Sequence, residues 1–487
     1  MKGVVKFYKM IINLSKYVVR IATLLVIAIG SAGQSNDIER KIDSLFSNYT
    51  MSTPGVAIAV IKDGNVVFKK GYGSANLEYD IPITSQTVFN IASVSKQFTA
   101  FSIYLLEKEG KLTFEDDITK YFPDLPAYGK PIRIKHLLAH TSGLRDQAAL
   151  LALAGWHWED IGTTEQILKL VTKQKELNFE TGTAYGYSNT GYTLLAEIVS
   201  QVSGQSFSEF TRKNIFDPLG MANTQFIDDY HTVIKNSAYS YEKKDGKYVK
   251  VELSYSNAGP SGLMTTVEDL AKWTANFHTP KIGDAKLISE FNKVSLLDND
   301  KPVVWSANNG DTTFHAKGQL HWKYKGLSAV SHGGHTAGFR AVLTRFPENN
   351  FAITTLSNDE HYQMLGKVLP IVELYLKDQL RTTPNISNNP IPEKKDTPKF
   401  TSDLREFQGT YYSEELSTTY IVKVKDGKLI MTHYRLSDTP LTQIGENKFS
   451  GINSFGFEME FMRSGKKVAG FKISNFGAKN VKFQRKE

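Results

Sequence analysis

The chain has 487 residues, of which 41% are hydrophobic, 11% aromatic and 22% charged. This balance is typical of folded domains and excludes a disordered or multi-span membrane protein. The net charge of +8 is concentrated at the N-terminus, because residues 1–33 contain five basic residues and no acid, which leaves +3 for the rest. No basic stripe marks the folded body, so a nucleic-acid partner is not expected. There is no cysteine, which excludes disulfides, thiol catalysis, cysteine-bound metals and a lipid anchor on cysteine.

The first 33 residues have the layout of a secretory signal peptide. Basic residues precede a short apolar run, Ile21 to Ile29, which ends in Gly30-Ser31-Ala32-Gly33. The run is about half of the roughly 20 residues that a membrane-spanning helix needs. We therefore expect export to the periplasm or the extracellular space, with no stable membrane span once the signal is cleaved. An uncleaved anchor is the alternative, and Met10 is an alternative start of translation.

Residues 36–380 predict an α+β domain. A short helix is expected at Asp37–Phe46, and a hairpin follows in which Asp63-Gly64 joins Val56–Ile61 to Val66–Phe68. A second hairpin is expected much later in the chain, with Ala341–Phe346 and Phe351–Leu356 as its strands. The segment between the hairpins is mainly helical in pattern, at Phe98–Glu109, Ile134–Ala139, Thr164–Thr172, Thr190–Val202 and Thr266–Phe277. This order predicts one antiparallel sheet flanked by helices, with a large helical insert.

The pattern changes towards the C-terminus. Residues 381–402 are rich in Thr, Pro, Asn, Ser and Lys and lack apolar periodicity, which predicts a linker. Residues 403–487 contain short strand patterns separated by turn signals, among them Tyr420–Val424 with Leu429–Met431, and the alternating stretch Phe455–Phe461. This part is expected to form a small all-β barrel.

One candidate for catalysis is Ser93, which lies three residues before Lys96 at the start of a helical pattern. Residues three apart meet across one helical turn, so the Lys96 amine can contact the Ser93 hydroxyl. A lysine can take a proton from serine only if burial or nearby charge lowers its pKa. The spacing alone is weak, because Ser240–Lys243 and Ser464–Lys467 share it, but only Ser93 has apolar neighbours at a helix start.

Two further motifs carry groups suited to acyl transfer. Tyr187-Ser188-Asn189 precedes a helix and offers a phenol that can relay a proton and an amide that can bind a substrate. A similar motif, Tyr255-Ser256-Asn257, occurs later in the chain, but Tyr187 is preferred because Gly182, Gly186 and Gly191 make a tight loop that could face a cleft. His332-Gly333-Gly334 ends an apolar stretch, and its glycines would let a substrate backbone approach a strand edge. Each motif has a purely structural alternative when it is considered alone.

Together and in this order, Ser-x-x-Lys, Tyr-x-Asn and His-Gly-Gly closely resemble the serine β-lactamase and penicillin-binding-protein superfamily, and in particular its class C β-lactamase-like branch. The stretches Ile134–Leu144, Ile215–Met221 and Gly334–Phe339 fit that branch as well. The resemblance covers about residues 36–375. The last 85 or so residues look like the small lipocalin-like barrel appended to some members.

The resemblance implies that Ser93 is acylated, Lys96 assists proton removal, Tyr187 acts as general base and acid, and Asn189 orients the substrate. The backbone N–H groups of Ser93 and His335 would form the oxyanion hole, with Gly333 and Gly334 beside the substrate. No metal or organic cofactor is implied. His332 stands where β-lactamases have the lysine of Lys-[Ser/Thr]-Gly. Because a histidine is mostly neutral at pH 7, the departure favours neutral esters or amides over β-lactams.

Three functions follow as hypotheses. The first is an active serine hydrolase that forms an acyl-enzyme on Ser93 and acts on a D-amino-acid peptide, amide or ester, with a true β-lactamase as its variant. The second is a binding protein that keeps the penicillin-recognising fold without turnover. The third is an interaction protein in which the C-terminal barrel carries the activity. The expected partner is a small-molecule or peptide substrate, and the sequence leaves the oligomeric state open.

Overall fold

The computed structural model describes residues 37–157, 159–251, 254–308, 311–381, 403–453 and 455–486. The predicted signal, 1–33, lies outside these residues, and of the predicted linker, 381–402, only Arg381 lies within them. Among the residues described, no helix is both long enough and apolar enough to span a membrane.

One antiparallel sheet of eight strands organises the larger part of the chain. Its strands are β1 (Val56–Lys62), β2 (Asn65–Tyr72), β3 (Val304–Asn308), β4 (Asp311–Ala316), β5 (Gln319–Tyr324), β6 (Leu327–Thr336), β7 (Phe339–Phe346) and β8 (Phe351–Ser357). They lie in the order β3-β4-β5-β6-β7-β8-β1-β2. The hairpin near the N-terminus therefore pairs with the late hairpin through β1 and β8, as the sequence predicts.

The sheet is larger than the sequence patterns indicate. Four strands follow from the two predicted hairpins and β6 from the apolar stretch before His332, but nothing in the sequence marks β3, β4 and β5. These strands form one edge of the sheet and carry many partly or fully exposed residues. Their hydrophobic alternation is therefore weak, although backbone pairing holds them in the sheet.

The helices lie mainly between β2 and β3 in the chain. They are α1 (residues 37–45), α2 (Lys96–Lys108), α3 (Ile134–Leu138), α4 (Gln147–Leu153), α5 (Thr164–Val171), α6 (Asn189–Ser203), α7 (Phe207–Thr211), α8 (Asp217–Leu219), α9 (Val267–Asn276), α10 (Ala285–Asn292) and α11 (Met364–Leu376). The predicted antiparallel sheet with a helical insert is thus present, and all the predicted helices are found. Short strands at Phe89–Asn90, Gln225–Phe226 and Leu263–Thr265 form a small sheet beside the start of α2.

Both faces of the sheet are covered, which explains why β1 is apolar at nearly every position. Ala57 and Ala59 join the core on the side of α2, whereas Val56, Ile58 and Val60 join the core that contains α1 and α11. Successive side chains of a strand point to opposite faces, so the chain needs apolar residues at both sets of positions. The helix α2 is buried along most of its length and carries the candidate site at its N-terminal end.

The start of α9 differs in one detail from a full capping box. The Thr266 hydroxyl accepts a hydrogen bond from the Asp269 backbone N–H, as its position at the N-cap predicts. The Asp269 carboxylate instead accepts hydrogen bonds from the backbone of Asn223 and the hydroxyl of Thr224, and pairs with Lys272. In a full capping box the Asp269 side chain would accept a hydrogen bond from the Thr266 backbone N–H. Here it binds residues that are distant in the sequence instead.

The C-terminal part forms a closed barrel of eight strands. They are β9 (Gly409–Ser413), β10 (Thr418–Lys425), β11 (Lys428–Thr432), β12 (Thr439–Gln443), β13 (Lys448–Ile452), β14 (Gly456–Ser464), β15 (Lys467–Asn475) and β16 (Val481–Lys486). Aromatic rings fill the interior, including Tyr411, Phe461, Phe471 and Phe483. The apolar residues of α4, among them Leu150 and Leu153, belong to the same core, so a helix from outside the barrel closes one end of it.

Candidate active site

Ser93 lies on a short turn that the surrounding packing holds in an unusual conformation. The turn is a one-turn 3-10 helix, Ala92–Ser95, directly before α2, rather than the first α-helical turn that the sequence predicts. Ala92 has a φ of +47°, in the left-handed region, which costs a residue with a Cβ about 1–2 kcal/mol. The Asn90 side chain accepts a hydrogen bond from Ala92 N at 2.8 Å and supports this turn. Ser93 is partly exposed while its neighbours are buried.

The amine of Lys96 is completely buried beside Ser93. Its side chain has no solvent exposure, and Nζ lies 3.2 Å from Ser93 Oγ. Two oxygen atoms accept hydrogen bonds from Nζ, Asn189 Oδ1 and the carbonyl of Pro260, each at 2.7 Å. Burial lowers the pKa of Lys96 from 10.5 to about 7, although the carboxylate of Asp146 opposes the shift. A substantial fraction of this amine is therefore neutral at pH 7.

Tyr187 contacts the same hydroxyl from another side. Its phenol donates a hydrogen bond to Ser93 Oγ at 2.9 Å. Burial raises the pKa of Tyr187 well above its usual range, so the ring is a neutral phenol at physiological pH. His140 supports this loop, since its ring lies 4.5 Å from the Tyr187 ring and its Nδ1 accepts a hydrogen bond from Ser188 N.

Asn189, the first residue of α6, links Lys96 to a buried carboxylate. Its backbone N and Nδ2 donate to Asp146 Oδ2 at 2.5 and 3.0 Å. Because Nδ2 is directed at Asp146, Oδ1 must face Lys96, and the orientation of the amide is fixed. The structure thus gives Asn189 a role in holding Lys96, and its predicted role in orienting substrate stays a prediction.

His332 lies on β6 and is 6% exposed, with Nδ1 2.6 Å from the carbonyl of Gly333. Burial and the nearby charge of Lys96 lower the pKa of His332 to about 4, so the imidazole is neutral at pH 7. Two further buried histidines lie on this side of the site. His315 is close enough to His332 for a charge on one to lower the pKa of the other, and the ring centroids of His315 and His140 are 4.8 Å apart. This side of the site is therefore aromatic and uncharged.

The glycines after His332 let β6 pass against the turn of Ser93. A Cβ on Gly334 would overlap the carbonyl oxygen of Ile91 and lie 3.1 Å from Ala92 Cβ. At Gly333 a side chain would point to the opposite face of the sheet, where its Cβ would lie 3.4 Å from Met364 Cε. At Gly334, β6 therefore passes directly against the turn that carries Ser93, and the oxyanion hole of the Ser93 and His335 N–H groups stays a prediction.

Residues 42–374 match the beta-lactamase family, and this region is more than half of the chain. The chain belongs to the beta-lactamase family. Over 325 residues it is 30% identical to a penicillin-binding protein of Bacillus subtilis, with 62% of this chain and 68% of the relative covered. Over 311 residues it is 34% identical to a D-aminopeptidase of Brucella anthropi, with 63% and 56% covered.

The matches therefore span between about half and two thirds of the length of these two curated relatives. Among solved structures, the octameric penicillin-binding protein homologue of Pyrococcus abyssi has a TM-score of 0.60 and 23% identity. That likeness covers 92% of this chain and 99% of the other, so the shared fold extends beyond the sheet into the C-terminal barrel.

Within this beta-lactamase-family chain the alternative motifs lie away from Ser93. Lys243 and Lys467, the lysines of the other two Ser-x-x-Lys pairs, are exposed. Tyr255 and Asn257 are turned towards Gln147, whose amide donates to both side chains. These two residues therefore support the start of α4 rather than the nucleophile.

Several important residues of the site have no clear signal in the sequence. Asp146 could be recognised only as a good N-cap for α4, which it is. Pro260 contributes a backbone carbonyl, and any residue type could supply one. His315 lies on β4, the second strand from one edge of the sheet, which the sequence does not reveal. Within the described ranges, no cluster of three or more His, Asp or Glu side chains is arranged to hold a metal ion.

Proposed function

We propose that this protein hydrolyses esters or amides that carry no negative charge beside the bond to be cleaved, including D-amino-acid amides and peptides, through an acyl-enzyme on Ser93. The observation that carries the proposal is the environment of Lys96 Nζ, which is fully buried and lies between two carbonyl oxygens and the Ser93 hydroxyl. A neutral amine has two N–H donors and one lone pair. If the donors bind Asn189 and Pro260, the lone pair is left for the proton of Ser93.

The first chemical step follows from this geometry. The Ser93 proton moves to Lys96 Nζ while Oγ forms a bond to the substrate carbonyl carbon, and negative charge develops on the carbonyl oxygen. The N–H groups of Ser93 and His335 would stabilise that charge, and removal of one such donor costs about 3–4 kcal/mol in comparable sites. A pKa of about 7 suits Lys96 to this role, because a general base works best when its pKa is near the working pH.

Tyr187 is suited to the opposite task. Its phenol is protonated at physiological pH and already donates to Ser93 Oγ. When the intermediate collapses, the phenol proton passes to the leaving amine or alkoxide, and the proton held by Lys96 replaces it. Water then cleaves the ester on Ser93 by the same proton transfers in reverse. We therefore assign the base to Lys96 and the acid to Tyr187, whereas the family resemblance alone gives both roles to Tyr187.

The neutral state of His332 supports a substrate without a carboxylate at this position. With its pKa lowered to about 4, this residue offers no positive charge to a carboxylate at pH 7. The D-aminopeptidase relative, 34% identical, supports a substrate built from D-amino acids. A substrate with a free carboxylate, such as a β-lactam, would lose the attraction that a lysine ammonium gives.

Labelling with a fluorescent fluorophosphonate tests the nucleophile directly. Wild type should label and Ser93→Ala should not, whereas a binding protein without turnover, or one that acts only through the barrel, would leave both unlabelled. A substrate panel of p-nitrophenyl esters, D-alanine amide, D-Ala peptides and nitrocefin then tests the class. We expect kcat/KM for the ester and for D-alanine amide, neither of which carries a carboxylate, to exceed that for nitrocefin, and the reverse order would favour a true β-lactamase.

A further inference from the structure

The barrel packs closely against the segment that precedes α4. The carbonyl of Gly477, on the loop between β15 and β16, accepts hydrogen bonds from Asp146 N at 2.8 Å and from Asn178 Nδ2 at 2.9 Å. Asn475 donates to the carbonyl of Ala149. Gly477 is buried, and a Cβ there would lie 2.8 Å from Asp146 Cβ and 3.0 Å from Ala149 Cβ. No side chain fits at this point unless Asp146 moves.

A second contact fixes the neighbouring residue. The guanidinium of Arg145 is buried and pairs with Glu415 of the barrel at 2.6 Å, and it also donates to the carbonyl of Asn480. On its other side, the carbonyl of Arg145 accepts a hydrogen bond from the Thr190 hydroxyl at the start of α6. Residues 145 and 146 therefore lie between the barrel and the helix that carries Asn189.

Asp146 uses both carboxylate oxygens in this position. Oδ1 accepts from the backbone of Ala148 and Ala149 and caps α4, whose apolar residues close the barrel. Oδ2 accepts both hydrogen bonds from Asn189, whose Oδ1 accepts from Lys96. Four hydrogen bonds thus connect the barrel loop to the amine beside Ser93, from Gly477 through Asp146, Asn189 and Lys96.

We infer that Asp146 is a positioning residue through which the barrel holds Asn189 and Lys96 in their catalytic arrangement. The barrel is then a part of the catalytic unit and not an independent module. This inference rests on the proposed function, since it concerns the same proton transfer from Ser93. Its physical basis is that a displacement of about 1 Å in a catalytic group can lower a rate by about a hundredfold.

The charge of Asp146 gives the inference a specific signature. The titratable groups around the Lys96 amine are Asp146 before α4, His140 after α3, Tyr187 before α6, Tyr192 on α6, and His315 and His332 on the sheet. The tyrosines and histidines are neutral at pH 7. Burial raises the pKa of Asp146, but both of its oxygens accept hydrogen bonds from N–H groups, which holds it as a carboxylate, so Asp146 is the charged group of this set. A nearby opposite charge shifts a pKa by about 1–3 units. Removal of the carboxylate should therefore lower the pKa of Lys96 by about one unit or more.

The test compares two glycine variants of the barrel. Gly477→Ala adds a methyl group against Asp146 and changes no titratable group. Gly456→Ala is the matched control, because a Cβ at Gly456, on β14, meets no atom within 4 Å. We expect Gly477→Ala to lower kcat for a p-nitrophenyl ester by about tenfold to a hundredfold, with KM within about twofold. Gly456→Ala should match wild type, and both should melt in a single transition above the assay temperature.

Asp146→Asn provides the second variant. It should lower kcat and move the acidic limb of the pH profile of kcat/KM by about one unit towards lower pH, which a loss of folded protein alone would not do. Wild-type rates in both Gly477→Ala and Asp146→Asn would overturn the inference, as would losses that only follow the fraction unfolded.

NMR of the lysine side-chain carbons gives a readout that does not depend on turnover. The pKa of Lys96 should fall in Asp146→Asn even if the protein hydrolyses none of the substrates tested. An unchanged pKa of Lys96 would contradict the inference alone, whereas absence of fluorophosphonate labelling in wild type would contradict the proposed function alone.

Discussion

The pKa of Lys96 makes the pH dependence of catalysis a direct test of the site. At its usual value of 10.5 only about one lysine in three thousand would be neutral at pH 7, whereas a pKa of about 7 makes about half of them neutral. The structure therefore gives the base an advantage of about a thousandfold in the population of its active form. Because only the neutral amine accepts the Ser93 proton, activity must fall as pH falls through the pKa of Lys96.

The assay is kcat/KM for a p-nitrophenyl ester between pH 5 and pH 9. We expect a plateau above about pH 8 and a decrease of about tenfold for each unit below about pH 6.5. The rate of fluorophosphonate labelling should follow the same curve, since it depends on the same deprotonation. Lys96→Arg should abolish both activities, because a guanidinium stays protonated throughout this range.

A histidine is the obvious competing source of a limb near pH 7. The pKa of His332 is lowered to about 4, so His332→Gln should change the height of the profile but leave the limb where it is. A limb that disappears in His332→Gln would assign it to the histidine. A rate that is flat between pH 5 and pH 9, or that still rises at pH 9 towards the usual pKa of lysine, would refute the argument from burial.

Three other predictions use single variants and their controls. Ser93→Ala should lower turnover more than about a thousandfold with little change in melting temperature. Ser464→Ala, at the exposed serine of another Ser-x-x-Lys pair, should be silent in both assays, and a large loss of turnover there would assign the nucleophile to that pair. Tyr187→Phe combined with Lys96→Ala should raise the activation free energy by much less than the sum of the two separate effects, because both residues act on one proton transfer. Additive effects in a double-mutant cycle would show that one of the two residues is structural. His332→Lys should move the ratio of kcat/KM values towards nitrocefin and away from the ester by about tenfold, equivalent to about 1.4 kcal/mol in the transition state; an equal loss on both substrates would show that His332 serves packing alone.

Local sequence signals were sufficient for the elements that local chemistry determines. Asp63-Gly64 gives the hairpin of β1 and β2, and both turn residues have a positive φ, as such turns require. The same reasoning gives the barrel hairpin around Asp426-Gly427, where both residues again have a positive φ. In these places the residues that decide the conformation are adjacent in the chain.

Elements stabilised by distant partners could not be predicted in this way. The strands β3 to β5, at one end of the sheet, have too few buried residues to show alternation, and α4 is only seven residues long. The amphipathic face of α4 has a meaning only because the barrel, more than 250 residues later in the chain, packs on it. Its N-cap Asp146 is a catalytic-site neighbour for the same reason, since Asn189 approaches it through the fold.

The chemistry of the site depends on distant partners in the same way. Three Ser-x-x-Lys pairs in this chain offer a hydroxyl and an amine at the same spacing, yet two of the lysines are exposed and only Lys96 is buried. The two oxygens that bind its amine come from positions 93 and 164 residues further along the chain. A hydrated ammonium remains protonated at pH 7, whereas an amine that the fold has removed from water loses its proton more easily, because burial disfavours the charged form. The motif therefore supplies the reacting atoms, and the tertiary structure supplies the pKa that allows them to react.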